Sequence, residues 1–325
     1  MLEIKDLSTD IITGTTHARA VRHFDFLAGE GIITGIVGES GSGKSIAMKS
    51  ALRILPQGGR IVSGSIALDG KRIDTLTENE MRHMRGSLMA MVFQDPMTAL
   101  NPVKSIGGHL TDCIHRHRKT GRKEALRQAA RVLADVGISS PDERMRQYPH
   151  EFSGGMRQRI MIAMALLLKP RLLIADEPTT ALDVTTQAQI LHLIQEIQRG
   201  QGMSVVLITH DLGVVARLCD RVTVMYGGMA MEEGSAEDIF YRPRSPYTQA
   251  LLLTLPRVDG EAKTRLKAIR GTPYGSASDA PEEEAGCPFC PRCDEAFGKC
   301  KKAVPPMTSI GDGHSARCFL NEGGI

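Results

Sequence analysis

"GIVGESGSGKS", Gly35 to Ser45, is an apolar run that turns into a glycine-rich loop and ends on a lysine and a serine. It satisfies the pattern G-x-x-x-x-G-K-[ST] at Gly38, Gly43, Lys44 and Ser45. The pattern follows a predicted strand, "GIITGIVG" (Gly31 to Gly38), and precedes a predicted helix, the context in which it carries meaning. Glycines let backbone N–H groups close around phosphate oxygens, the lysine reaches the β/γ oxygens, and the serine hydroxyl ligates Mg²⁺. Gly38, Glu39, Ser40, Gly41, Ser42, Gly43, Lys44 and Ser45 therefore form the candidate phosphate site. The bland reading, a glycine-rich turn with a surface lysine, leaves the flanking strand and helix unexplained.

Two further apolar runs read as buried parallel strands, "RLLIADEP" (Arg171 to Pro178) and "SVVLITH" (Ser204 to His210). Between them Ile190, Ile194 and Ile197 share one helical face, and glycines end the helix. This βαβ rhythm predicts an α/β fold with a parallel sheet. Near the start, "LEIKDLS" and "GSIALDGKRI" alternate as antiparallel strands do, the second with a "DG" turn. Residues from about 85 to 168 read as mainly helical, with Leu126, Ala130 and Leu133 as one stripe and "MRQRIMIAMALLLK" running to Pro170. From about residue 240 the chain turns rich in proline, glycine and acid and reads as a linker to a cysteine-rich end.

"LLIADEPTTALD" delivers Asp176 to the end of a strand, where it can hold a Mg²⁺ shell, with Glu177 placed next to polarise water. "HEFSGGMRQR" sets Ser153, Gly154 and Gly155 at a helix start, a second place suited to an anion.

In order, these motifs resemble the nucleotide-binding subunit of an ABC transporter over residues 1 to about 240. The resemblance adds Gln94 in "MVFQDP" as a metal-sensing glutamine, Asp183 closing "ALD", and His210 in "ITHD" as a switch histidine. It implies a P-loop NTPase core of the ABC ATPase type with antiparallel β and α-helical subdomains (the latter about 90–165), ATP and Mg²⁺ as ligands, and hydrolysis assisted by Glu177, His210 and Gln94. It also implies head-to-tail pairing, in which Ser153 and Gly155 of one subunit face the ATP bound by the other, so an isolated subunit hydrolyses ATP poorly. "FSGGM" departs from the family's usual Leu-Ser-Gly-Gly-Gln but keeps the serine and glycines. "GTTHARA" (residues 14–20) lacks the aromatic that many members stack on adenine; His17 is a substitute or an exposed loop histidine.

"FQDPMTALNP", "RPRSPYTQALLLTLP" (Arg242 to Pro256) and "GCPFCPRCDEAFGKC" resemble the peptide and nickel importers, the last two the dipeptide/oligopeptide branch. That implies a C-terminal extension over 241–325. By resemblance, Cys287, Cys293, Cys300 and Cys318 ligate a [4Fe–4S] cluster, with Cys290 outside the pattern; thiolate chemistry alone equally admits tetrahedral Zn²⁺. Such a tail is expected to need a metal staple to fold. Cys113, His115 and His117 in "CIHRHRK" sit among basic neighbours and read as a solvated helix end.

The 325 residues allow one large core plus an appendage, or two domains, with hydrophobic (42%) and charged (24%) content typical of globular proteins. No apolar run is long enough to span a bilayer, and "MLEIK" does not begin a signal peptide, so the chain is expected to stay in the cytosol with any membrane role peripheral; the resemblance implies the cytoplasmic face of the inner membrane. A net charge of +3 and 4% aromatics give no reason to expect nucleic acid. The implied partners are a second, homologous ATPase subunit, two permeases and an extracytoplasmic solute-binding protein. The function expected is powering import of peptides or a related solute; the alternative is a soluble ABC-type ATPase.

Overall fold

The computed structural model describes all residues except 96–98, 181, 256–267, 275–285 and 323–325. Parts of "FQDPMTALNP", of "ALD" and of the acidic linker therefore lie outside the described residues. The strands in chain order are β1 (Leu2–Thr13), β2 (Thr16–Leu27), β3 (Ile33–Val37), β4 (Gly59–Leu68), β5 (Lys71–Arg72) and β6 (Met89–Val92). They continue with β7 (Leu172–Asp176), β8 (Ser204–Ile208), β9 (Arg221–Tyr226), β10 (Met229–Ser235), β11 (Met307–Gly311) and β12 (His314–Arg317). The chain divides into two compact units, one holding Ala28–Ile32 and Thr75–Ile208, the other Leu2–Leu27, Ile33–Asp74 and Thr209–Ile325.

In the first unit β6, β7 and β8 pair in parallel, with Met89 opposite Leu172 and Leu172 opposite Ser204. β7 and β8 are buried along their whole length, which explains why their sequences are unbroken apolar runs rather than alternating ones. The helix Val184–Gln201 buries Ile190 and Ile194, and Gln198 Nε2 donates to the Gly31 carbonyl at 2.6 Å. The stretch expected to be helical, about 85–168, carries helices at Ile106–His117, Arg122–Asp135 and Gly154–Leu166, and a further helix, Glu78–Met84, precedes it. β6 interrupts it, as a four-residue strand with too few positions to reveal a period. The stripe on Arg122–Asp135 is Ala125, Ala129 and Leu133; Leu126 and Ala130 lie beside it, half-buried. Two of the three buried positions are alanines, which hydrophobicity alone does not single out.

The second unit holds an antiparallel sheet ordered β2-β1-β4-β5. The "DG" turn joins β4 to β5 with φ of 51° at Asp69 and 76° at Gly70. β2, whose first residues the sequence reading noted only for lacking an adenine-stacking aromatic, takes its strand form from pairing with β1. β3 lies parallel to β9, β9 and β10 form a hairpin, and β12 then β11 continue outward from β10.

The segment after residue 240 is not a linker where it is described. Helix Pro246–Leu252 starts with proline in its first turn and buries Tyr247 completely. Protein contacts fasten the described part of the tail. β12 pairs with β10, His314 Nε2 lies 2.8 Å from Oε1 of the buried Glu232, and Arg317 donates to the carbonyls of Ala230 (2.9 Å) and Pro305 (3.1 Å). Tyr226, Tyr247 and Phe289 form one aromatic cluster with centroids 4.6–5.4 Å apart. Edge pairing, a buried histidine–carboxylate hydrogen bond and aromatic packing thus hold the described tail, contacts that the sequence reading did not foresee. No helix among the described residues is long and apolar enough to cross a membrane.

Candidate nucleotide site

The phosphate loop leaves buried β3 and enters the helix Lys44–Leu52, capped by Gly43. A Cβ at Gly38 would lie 2.1 Å from the Met225 carbonyl oxygen, and one at Gly43 2.4 Å from that of Ala20. Both glycines also have positive φ, 151° and 97°, so the loop reaches its shape only where side chains are absent. Lys44 is 5% exposed, and its Nζ donates to the carbonyls of Gly38 (2.8 Å) and Glu39 (2.7 Å) and to Ser42 Oγ (3.2 Å). The ammonium is thus held inside the loop's curve, where an anion enclosed by the backbone would meet it. The donor set fits a Mg²⁺–nucleotide phosphate: a lysine within a glycine-framed cradle and the Ser45 hydroxyl in the first turn of the helix.

In the other unit Asp176 ends β7 with 1% exposure. Glu177 follows with φ of 45°, in the left-handed region that a non-glycine residue rarely adopts. Its N–H donates to the Ile208 carbonyl at 2.9 Å. Its Oε2 accepts from Gln94 Nε2 at 3.0 Å and from Thr180 Oγ1 at 2.8 Å. Gln94 and Glu177, 83 residues apart in the chain, are therefore direct partners. Thr180 was missed from the sequence; its signal was its position three residues after the glutamate.

Ser153 caps the helix Gly154–Leu166, its Oγ accepting from the Met156 N–H at 3.4 Å, and is exposed. A Cβ on Gly155 would lie 2.5 Å from Thr186 Cγ2, so this glycine is also required by packing within its own chain. Asp183 caps Val184–Gln201, accepting from the N–H (2.9 Å) and hydroxyl (2.7 Å) of Thr186; these bonds hold its carboxyl below the usual range. Thr186 thus touches both the "SGG" and the "LD" segments. His210 is exposed, just past β8, and Asp211 after it caps the helix Leu212–Leu218.

His17 Nε2 lies 2.8 Å from Oδ2 of the buried Asp10, and Arg19 donates to Oδ1 at 3.1 Å. The imidazole is thereby oriented, unlike that of a free loop histidine.

Cys287 N–H donates to the Cys300 carbonyl (2.8 Å) and Cys290 N–H to that of Cys287 (3.0 Å), so the cysteine backbones converge. All seven cysteines are free thiols. Burial pushes Cys287 up to about 11, and burial with neighbouring thiols raises Cys290, Cys293 and Cys318. Among the described residues no three or more His, Cys, Asp or Glu side chains are arranged to hold a metal ion. The expected four-thiol ligand set is therefore not formed by these side chains as placed; four thiols are the right donor chemistry, with Cys300 buried and Cys287, Cys293 and Cys318 half-buried.

With this geometry in view, comparison with known proteins is decisive. The family described as "ABC transporter" matches residues 21–180, and "Oligopeptide/dipeptide transporter, C-terminal region" matches residues 231–300. The dipeptide transport ATP-binding protein DppD of Bacillus subtilis is 46% identical over 99% of this chain and 95% of its own length. The oligopeptide transport ATP-binding protein OppD of Escherichia coli is 45% identical, covering 98% and 93%. Among solved structures, the dimeric bacterial ABC transporter cassette MJ0796 superposes with a TM-score of 0.64 at 26% identity, over 73% of this chain and 99% of that one.

The chain belongs to the ABC transporter ATPases, in the branch formed by the ATP-binding subunits of peptide importers. It is an ATP-hydrolysing subunit with the cassette's P-loop fold, and full-length similarity to transporter subunits leaves the soluble-ATPase alternative without support.

Proposed function

We propose that this chain powers import of peptides, or a related small solute, as one ATPase of a paired motor on the cytoplasmic face of the inner membrane. The observation that carries it is the Glu177 carboxylate, seated just past β7 and gripped by Gln94 and Thr180. A base that orients water needs a fixed rotamer, and two hydrogen bonds to one oxygen supply it. In this reading Gly38–Ser45 hold the phosphates, Lys44 offsets part of their charge, Ser45, Asp176 and Gln94 would hold Mg²⁺, and Glu177 takes the water's proton. When bound, that Mg²⁺ would supply further neutralisation of the phosphate charge. His210 contacts the γ-phosphate and keeps the water in line. Ser153, Gly154, Gly155 and Asp183 serve the nucleotide of the partner ATPase, a homologous but different subunit.

Residues 1–240 act as the cassette and 241–325 as the importer-type extension. Two permeases and a solute-binding protein complete the machine, since the similar DppD and OppD are peptide transport subunits. The finer reading of the tail, iron–sulfur or zinc held by Cys287, Cys293, Cys300 and Cys318, is supported by its donor chemistry and the converging backbones. Anaerobic purification followed by iron, sulfide and zinc analysis tests it; metal-free protein with every thiol titratable removes it.

The functional test is transport in vesicles holding the cognate permeases and binding protein. Peptide uptake should require ATP and this subunit, and Glu177→Gln should abolish it while retaining ATP-bound pairs. Uptake that proceeds with the glutamine variant would refute the assignment.

A further inference from the structure

The extension touches the phosphate loop itself, within one compact unit. Arg292, which lies between Cys290 and Cys293, donates through Nη1 and Nη2 to the two carboxylate oxygens of Glu39, at 2.5 and 3.0 Å. Glu39 is the loop residue immediately after Gly38. Its N–H donates to the Tyr247 hydroxyl at 3.0 Å, and its carbonyl accepts Lys44 Nζ at 2.7 Å. One loop residue is therefore bonded through its side chain and its N–H to the extension, and through its carbonyl to the phosphate-binding lysine.

The arginine is itself fixed. Its side chain is 4% exposed, Nε donates to the Arg270 carbonyl at 2.7 Å, Nη1 donates to the Tyr226 hydroxyl at 3.1 Å, and the guanidinium lies over the Tyr226 ring. Tyr226, Tyr247 and Phe289 pack behind it. A planar two-pronged pair in a largely dry place is the kind of ion pair that resists exchange with water. Were the arginine absent, a carboxylate would stand uncompensated beside a loop built to receive a polyanion, and like charges at short range oppose one another strongly where water is scarce.

We infer that the extension is energetically coupled to nucleotide binding through Arg292 and Glu39, with Arg292 a positioning residue for ATP. This rests on the ATPase reading. By linkage, whatever the pair contributes to holding nucleotide, nucleotide returns to the extension.

The test uses the full-length chain. Hydrogen exchange with and without MgATP should show protection at residues 38–45 and also at 246–252 and 289–293. Protection of the loop alone overturns the coupling. In parallel, Arg292→Gln should weaken MgATP binding about tenfold, raising KM and leaving kcat, because the residue touches no reacting atom. Glu39→Gln combined with Arg292→Gln removes the bared charge and should recover most of the affinity. A folded Arg292→Gln protein with unchanged KM, or a double variant as weak as the single, overturns the proposal. Should Arg292→Gln not fold, the exchange experiment on the wild-type chain decides alone. If the wild-type chain binds no MgATP, the ATPase reading fails instead, and the two failures are distinct.

Discussion

Gly38, Gly41 and Gly43 have φ of 151°, 79° and 97°, and Glu177 has φ of 45°. In the phosphate loop every left-handed residue is glycine, so the backbone turns without steric penalty and offers its own N–H groups. At Glu177 the chemistry resides in a side chain, so glycine is ruled out and the residue bears about 1–3 kcal/mol of backbone strain. The N–H bond to Ile208 and the grips of Gln94 and Thr180 offset that strain. The two regions differ in what they present to the ligand, and that decides which of them carries strain. They differ in reach as well. Glu177 is held by residues within the same unit's cassette sequence, while Glu39 of the loop is held by Tyr247 and Arg292, more than 200 positions away.

The contrast breaks most visibly at Glu177. Glu177→Gln keeps the shape and both hydrogen-bond partners but removes the base, and steady-state ATP turnover should fall by at least about a hundredfold with MgATP affinity retained. A fall of less than threefold would place the base elsewhere. In the phosphate loop the expected loss is of binding. Gly43→Ala drives a methyl to within 2.4 Å of the Ala20 carbonyl and should abolish measurable MgATP binding in a fluorescence titration. Gly41→Ala, which meets nothing within 4 Å, should cost only about 1 kcal/mol, from its positive φ. Similar losses at both positions would mean that conformation, not crowding, governs the loop.

Gly155 tests whether the "SGG" glycine serves its own chain. Gly155→Ala should lower stability in urea by about 1–3 kcal/mol through overpacking on Thr186, and Thr186→Ser, which removes the methyl, should restore most of it. The smallest effect is expected at Asp10. Burial alone would raise its pKa, but hydrogen bonds from His17 and Arg19 outweigh that and leave it below 3.8. A carboxyl lowered by folding stabilises above its unfolded value and loses that contribution as pH falls through its folded value. The stability gap between the wild type and Asp10→Asn should therefore be full near neutrality and close as pH drops below about 3.8.

Most of the cassette was legible because its elements are written locally. β3, β7 and β8 are uninterrupted apolar runs, and the loop glycines sit at the fixed offsets that phosphate demands. What escaped was set by partners. β2 is a strand because β1 lies beside it, and the burial of Ala125 rather than Leu126 depends on which face of the helix the rest of the fold covers. Tyr247 looked like part of a proline-rich linker because nothing nearby in the sequence shows the cluster that buries it.

By itself the sequence determined the nucleotide-phosphate chemistry and the α/β class, since both follow from residue types at short spacing. The tertiary structure alone decided that Gln94 and Thr180 hold Glu177, that Thr186 requires glycine at position 155, and that Arg292 holds Glu39. The reason is physical. Spacing along the chain fixes backbone shape over a few residues, whereas charge pairing and close packing depend on distances in space between segments scores of residues apart.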